Sequence, residues 1–222
     1  MGSSITRYSD DVAYTYSGPE IAVASTKAYI GQLVSASLLA SYAAKAKEVI
    51  TTKEHAKIVS EVKLIPGKIR KVLGDSQVKT LSEKCADTRT FFFIGRRQNY
   101  PTALEGALKI KEIAYVHAEG YAAGELKHGP LALLERGVVV LAINSGDDLG
   151  KKMDSNIQEA KTRGATIVNV GVGGDLSIPK TTQALEPILA IVPLHLFAYY
   201  ISVLRGLDPD KPRNLAKSVT VE

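Results

Sequence analysis

Between Ala103 and Pro130 the chain reads ALEGALKIKEIAYVHAEGYAAGELKHGP. Glu105, Lys109 and Glu112 stand four and three residues apart, so a helix through this segment puts them on one stripe. His128 follows, just before Gly129-Pro130, where the chain is expected to be held away from helical angles. Two carboxylates, an amine and an imidazole are the groups that proton transfer on a carbonyl compound requires. The same spacing also describes an exposed ion-pair stripe, and His128 could equally be a capping or core histidine. Ala103, Gly106 and Ala107 surround the stripe with small side chains, which suggests close approach by another group.

A second amine is notable near the C-terminus. Lys217 has apolar neighbours, Leu215, Ala216, Val219 and Val221, so the tail is expected to pack. A partly desolvated lysine close to Arg213 could trap a carbonyl as an imine, and a plain surface lysine is the alternative. His55, His117 and His195 have no comparable setting and receive no role. The absence of a His-x-x-x-His pair or a Cys/His grouping argues against a metal site. The glycine-rich Gly171 to Asp175, GVGGD, lacks a full nucleotide-binding fingerprint and reads as a turn.

The elements that must position these groups form two blocks. Residues 1–84 offer a short extended piece over Val12 to Tyr16 and a turn at Gly18-Pro19. A helix follows from about Ser25 to Lys47, with Ser25 or Thr26 as N-cap. A second helical pattern runs from about Lys53 to Lys84, with an interruption at Pro66-Gly67. This block resembles the back half of a doubly wound domain. Residues 85–222 alternate more completely. Strands are expected over Phe91 to Ile94, Val138 to Ile143 and Thr166 to Val170, and helices over about 102–115, 149–163 and 187–205. Such alternation predicts an α/β fold with a doubly wound parallel sheet. Ligands of such sheets bind at the carboxyl ends of strands, which draws attention to the loop Gly95 to Pro101. Ser218 to Val221 alternates like an extended strand.

Composition narrows the function classes. Hydrophobic residues make up 45% and charged residues 23% of 222, values of a globular chain. The single cysteine, Cys85, permits no intramolecular disulfide, which fits a reducing cytoplasm. The apolar run Ile188 to Leu204 carries Pro193 and His195 and reads as a buried helix, not a membrane span. A net charge of +5 is dispersed along the chain without interleaved aromatics, so no nucleic-acid partner is expected.

The motifs GSSITR, GPEIAVASTKAY, ALEGALKIKEIAYVHAEGYAAGELKHGPLAL and PRNLAKSVTVE, in this order, closely resemble the isomerase part of the glutamine–fructose-6-phosphate aminotransferases, also called glucosamine-6-phosphate synthases. The resemblance covers the whole chain. It implies two sugar-isomerase (SIS) domains, the first represented by residues 1–84 and the second by 85–222, in a homodimer. It also implies conversion of fructose 6-phosphate to glucosamine 6-phosphate without metal or redox cofactor. By resemblance, Lys217 is the Schiff-base lysine and Glu112 the base moving a proton between C1 and C2. His128 is the ring-opening residue, donated across subunits. Glu105 and Lys109 match further active-site positions, and Val23, Ser25 and Ala216 match substrate contacts. Family members carry a glutaminase domain with an N-terminal cysteine, which this sequence does not offer, so ammonia is expected from elsewhere. The family's serine- and threonine-rich phosphate loop also has no counterpart in Gly2-Ser3-Ser4 or Gly95 to Gln98. Weak sugar-phosphate affinity follows as an expectation. Two other readings remain open: a non-catalytic sugar-phosphate-binding module, and a related amino-sugar-phosphate deaminase or isomerase.

Overall fold

The computed structural model describes residues 3–145 and 148–217, apart from the side chains of 148 and 149. Three helices lead: α1 (Lys27–Ala46), α2 (Thr52–Leu73) and α3 (Gln77–Cys85). Then β1 (Thr90–Gly95), α4 (Asn99–Lys109), β2 (His117–Ala122), β3 (Val138–Ile143), α5 (Asp148–Lys161), β4 (Thr166–Gly171), β5 (Leu176–Ser177) and α6 (Glu186–Leu204) follow. The strands form one parallel sheet in the order β2-β1-β3-β4-β5. The chain leaves β1 in one direction and returns to β3 on the other side, so the sheet is doubly wound as the alternation predicts.

β1 shows why these segments become central strands. Phe91 and Phe93 point into the core shared with α3, α4 and α6, while Phe92 and Ile94 point into the core under α5. Side chains alternate across a strand, so a run buried on both faces must be apolar throughout. β3, buried at all six positions, follows the same rule. α6 is apolar on every side because it is wrapped by α1, α2, α3 and α4 on the sheet. Among the described residues one stretch, Gln183–Leu204, has the length and hydropathy of a membrane span, and two thirds of its most apolar part lies buried inside the molecule.

Several expectations need correction. Val12 to Tyr16 forms no strand. α2 runs unbroken through Pro66, started by a Thr51–Glu54 capping box, and the chain breaks instead at Gly74 to Ser76. β2 and β5 are additional strands. The helix expected over 102–115 begins at Asn99 and ends at Lys109, where a single π-helical turn, Ile110–Ala114, takes over. The segment Gly171 to Asp175 does turn, between β4 and β5. The strand expected over Ser218 to Val221 lies outside the described residues.

The buried residues of the leading helices, Ile65, Val72, Val78 and Cys85, join the same core as α4 and α6. α1 differs. Its sequence is apolar around most of its circumference, yet Ser41 is its one fully buried residue, and Leu39 and Tyr42 are exposed. Beside it runs a largely apolar groove of about 510 Å³ between α1, α2 and the N-terminal parts of α4 and α6.

Candidate active site

α4 is drawn tightly against β1 and α6 because Gly106 has no side chain. A Cβ there would stand 2.8 Å from Phe93 and 2.9 Å from Leu194. The small residues around the charged stripe thus serve helix packing, not approach by a ligand. Ala103 and Ala107 are buried on the same side.

That packing carries Glu105, Lys109 and Glu112 inward together. Lys109 is almost fully buried, with Nζ 2.6 Å from Glu112 Oε2 and 3.3 Å from Glu105 Oε1. An exposed ion-pair stripe does not describe this arrangement. A buried ammonium needs a carboxylate to offset its desolvation, and here it has two. Burial pushes the Glu105 carboxyl upward, but His195 and Lys109 outweigh it and hold it below the ordinary carboxylate range. Glu112 lies in the π turn, and Ser202 Oγ donates to the Ile113 carbonyl at 2.8 Å inside that turn. π turns concentrate at functional sites because they re-aim side chains that an α-helix would direct elsewhere.

The turn ends on Tyr115, which adopts left-handed angles (φ 56°, ψ 37°). Its hydroxyl oxygen accepts the Arg213 N–H at 2.7 Å, and the Arg213 guanidinium sits 4.4 Å from its ring centroid. The tail is tied down at this point. Asp210 O accepts the Val23 N–H at 3.1 Å, so the tail also runs beside the segment preceding α1.

A second cluster forms there. Lys217 Nζ lies 3.0 Å from Glu20 Oε2 and 3.4 Å from the Val23 carbonyl. Glu20 also accepts the Thr26 N–H at 2.8 Å and the Ala28 N–H at 3.4 Å, so it caps α1 in place of a Thr26 or Ser25 hydroxyl. Burial raises the Glu20 carboxyl, but the Thr26 N–H, Lys217, the Ala28 N–H and the Ser25 hydroxyl bring it down to about 2. Sequence reasoning missed Glu20; an acidic residue shortly before a helix start was the available signal.

Lys217 itself is exposed, not desolvated, and Arg213 is engaged with Tyr115 instead of Lys217. Ala216 is exposed beside it. His195 faces Glu105 at 3.6 Å and also lies within the electrostatic reach of Glu20. His128 is not brought to either cluster. It closes a 3₁₀ helix, Ala123–His128, and is exposed. The residue that Pro130 restricts is Gly129, at φ 142°. Among the described residues His128 shares no hydrogen bond or ion pair with either cluster.

The SIS domain family model matches residues 84–179. Over its whole length the chain is 50% identical to glutamine–fructose-6-phosphate aminotransferase [isomerizing] of Thermococcus kodakarensis, covering 38% of that protein. The chain thus spans well under half the length of the curated relatives it matches. Among solved structures, the C-terminal domain of glucosamine-fructose-6-phosphate aminotransferase from Francisella tularensis is 37% identical, with a TM-score of 0.89. The match covers 95% of this chain and 62% of that one. A glucosamine-6-phosphate deaminase from Thermotoga maritima is 28% identical with a TM-score of 0.69, over 90% of this chain and 59% of that one.

Proposed function

Because the chain belongs to the SIS-domain family, with its full length matched by the isomerizing aminotransferases, we propose that it converts fructose 6-phosphate to glucosamine 6-phosphate through an imine on Lys217. The observation that carries this reading is that each of two amines is held by a carboxylate, Lys217 by Glu20 across 197 residues of chain and the buried Lys109 by Glu112.

The chemistry divides among these groups. The Lys217 amine adds to the C2 carbonyl of the open-chain ketose, water leaves, and an imine forms. Glu20, already hydrogen-bonded to that amine, is positioned to carry its proton. Ammonia then displaces the lysine. Glu112 removes a proton from C1, giving an enaminol. Protonation at C2 and loss of the O1 proton leave an aldehyde at C1 and an amine at C2. Lys109 holds the Glu112 carboxylate beside the reacting carbons, and Glu105 holds Lys109. Val23, Ser25 and Ala216 flank the sugar. Ring opening falls to His128 of a second copy, a reading supported by its exposure and its distance in contacts from both clusters. Residues 1–84 then represent part of a first SIS domain, residues 85–222 the second, and a glutaminase domain in a longer chain supplies ammonia in the cytoplasm.

Borohydride trapping with fructose 6-phosphate, followed by peptide mapping, tests the central step. A sugar adduct on Lys217 that disappears in Lys217→Ala supports it. Absence of any adduct, while an intact aminotransferase labels under the same conditions, sinks it. The likeness to the Thermotoga deaminase favours a second reading, hydrolytic removal of the amino group from glucosamine 6-phosphate, which ammonia release from that sugar would support.

A further inference from the structure

α6 is built almost entirely from apolar side chains, and His195 is the single imidazole in it. A leucine would fill that position without desolvation cost, so the packing of α6 gives no reason for a polar ring. What the ring faces does. Its Nε2 is buried and directed at Glu105, 3.6 Å from Oε1, slightly beyond hydrogen-bond length, and it has no nearer partner. Tyr29 of α1 meets the ring edge-on at 6.2 Å between centroids.

The surrounding charges define what the ring can do. On α4 it faces Glu105 and, behind it, Lys109; from the segment before α1 it feels Glu20; α1 contributes Tyr29, whose phenol is pushed up to about 12 by burial and by Glu105. A bare ring nitrogen aimed at a carboxylate is repulsive, whereas an N–H is attractive, so the proton belongs on Nε2. Burial lowers the imidazole's own pKa more than Glu105 raises it, which keeps the ring uncharged near neutrality. Lys109, placed between two carboxylates, sits nearer Glu112, at 2.6 Å, than Glu105, at 3.3 Å.

We propose that His195 is a positioning residue of this site: its Nε2–H occupies Glu105 Oε1, so that Lys109 is committed to Glu112. In resting proteins such contacts are often long and shorten when the site is loaded. The inference rests on the function proposed above and adds the device that divides one ammonium between two acids. Loss of the N–H frees Glu105 to draw Lys109 away, and Glu105, still buried, takes up a proton at higher pH.

Two variants separate donation from bulk: His195→Gln keeps an uncharged N–H donor, and His195→Leu keeps volume alone. Turnover of fructose 6-phosphate with ammonia is followed across pH, alongside ¹⁵N NMR of the resting chain with and without Glu105→Gln. His195→Leu is expected to lose about tenfold in kcat, the size of one hydrogen bond to a charged group. KM should change little, and the acidic limb of the rate profile should move to higher pH. His195→Gln should restore most of both. The resting ring should carry its proton on Nε2 and respond to Glu105→Gln. Unaltered kcat and pH profile in His195→Leu would overturn the proposal, as would a Gln variant as impaired as Leu. A ring protonated on Nδ1 and indifferent to Glu105→Gln would do the same. A wild-type chain without turnover sinks the function proposed above, and the ring spectra alone then decide for or against His195.

Discussion

Glu20 and Lys217 stand 197 residues apart in sequence and 3.0 Å apart in space. The same carboxylate caps α1 through the Thr26 N–H, so the position of the Lys217 amine, the proposed imine former, is coupled to the start of a helix. Replacing Glu20 therefore disturbs a cap and a site together. Glu20→Ala is expected to cost about 1 kcal/mol, the usual value of an N-cap side chain. It should also weaken imine trapping at Lys217. Urea unfolding and borohydride trapping measured on the same preparation check both.

Acid should expose the same link. The Glu20 carboxyl sits at about 2 in the folded chain against an ordinary 4.5. Because the folded value is the lower one, its contribution to stability is complete above about pH 4.5 and disappears as pH falls toward 2. The difference in unfolding midpoint between wild type and Glu20→Gln should accordingly shrink over that window. A difference that stays constant to the lowest accessible pH would contradict this.

Lys109 is the most exposed to loss of a partner, in the energetic sense. Lys109→Met leaves Glu105 and Glu112 as neighbouring carboxylates around an apolar side chain. Removing one member of a buried ion pair typically costs about 3–5 kcal/mol. A fall of that size in unfolding free energy is expected at neutral pH. Restoring the charge as Lys109→Arg should recover little, since the larger planar guanidinium must replace a compact ammonium that is almost fully buried between Glu105 and Glu112. Circular dichroism during chemical denaturation provides the comparison.

Tyr115 fastens the tail to the end of the π turn. Tyr115→Phe deletes the acceptor of the Arg213 N–H and keeps the ring under the guanidinium. The expected loss is about 1 kcal/mol of local stability. Trypsin cleavage after Arg213 should speed up, with little change in the global melting temperature.

Gly106→Ala should be harmful despite the higher helix propensity of alanine. Its Cβ would enter the contact surface of Phe93 and Leu194. Overpacking of this kind costs about 1–3 kcal/mol. Differential scanning calorimetry would detect it, and an unchanged or raised melting temperature would show that α4 can shift at no cost.

The legible parts of this molecule are those whose signal is local. β1, β3 and β4 announce themselves as unbroken apolar runs because parallel central strands are covered on both faces. The Glu105–Lys109–Glu112 stripe follows from helical periodicity alone. β2, with the sequence His-Ala-Glu-Gly-Tyr-Ala, escapes because an edge strand has no need of a continuous apolar run, and its Gly120 is required by the backbone of Leu104 passing 2.8 Å from where a Cβ would be. Pro66 misleads because a proline costs one helical hydrogen bond, and the packing of α2 on α6 offsets that cost. Glu20 and His195 are invisible for a different reason. Each acts on a partner brought in by tertiary packing, and neither spacing nor neighbours in the sequence encode that meeting. The apolar neighbours of Lys217 suggest burial, but the tail packs chiefly through Pro212 and leaves the lysine in solvent.

The five residues from Ile110 to Ala114 depart from the α-helix that precedes them, and their wider turn is an intrinsically less favourable conformation. Shortening the segment by one residue, for instance by deleting Lys111, would allow regular winding and would swing Glu112 about 100° around the helix axis, away from Lys109. A heat-resistance selection and a turnover selection are therefore expected to pull in opposite directions at these five positions. The most thermally durable descendants of this sequence would be the ones that had given up the proton transfer proposed for Glu112.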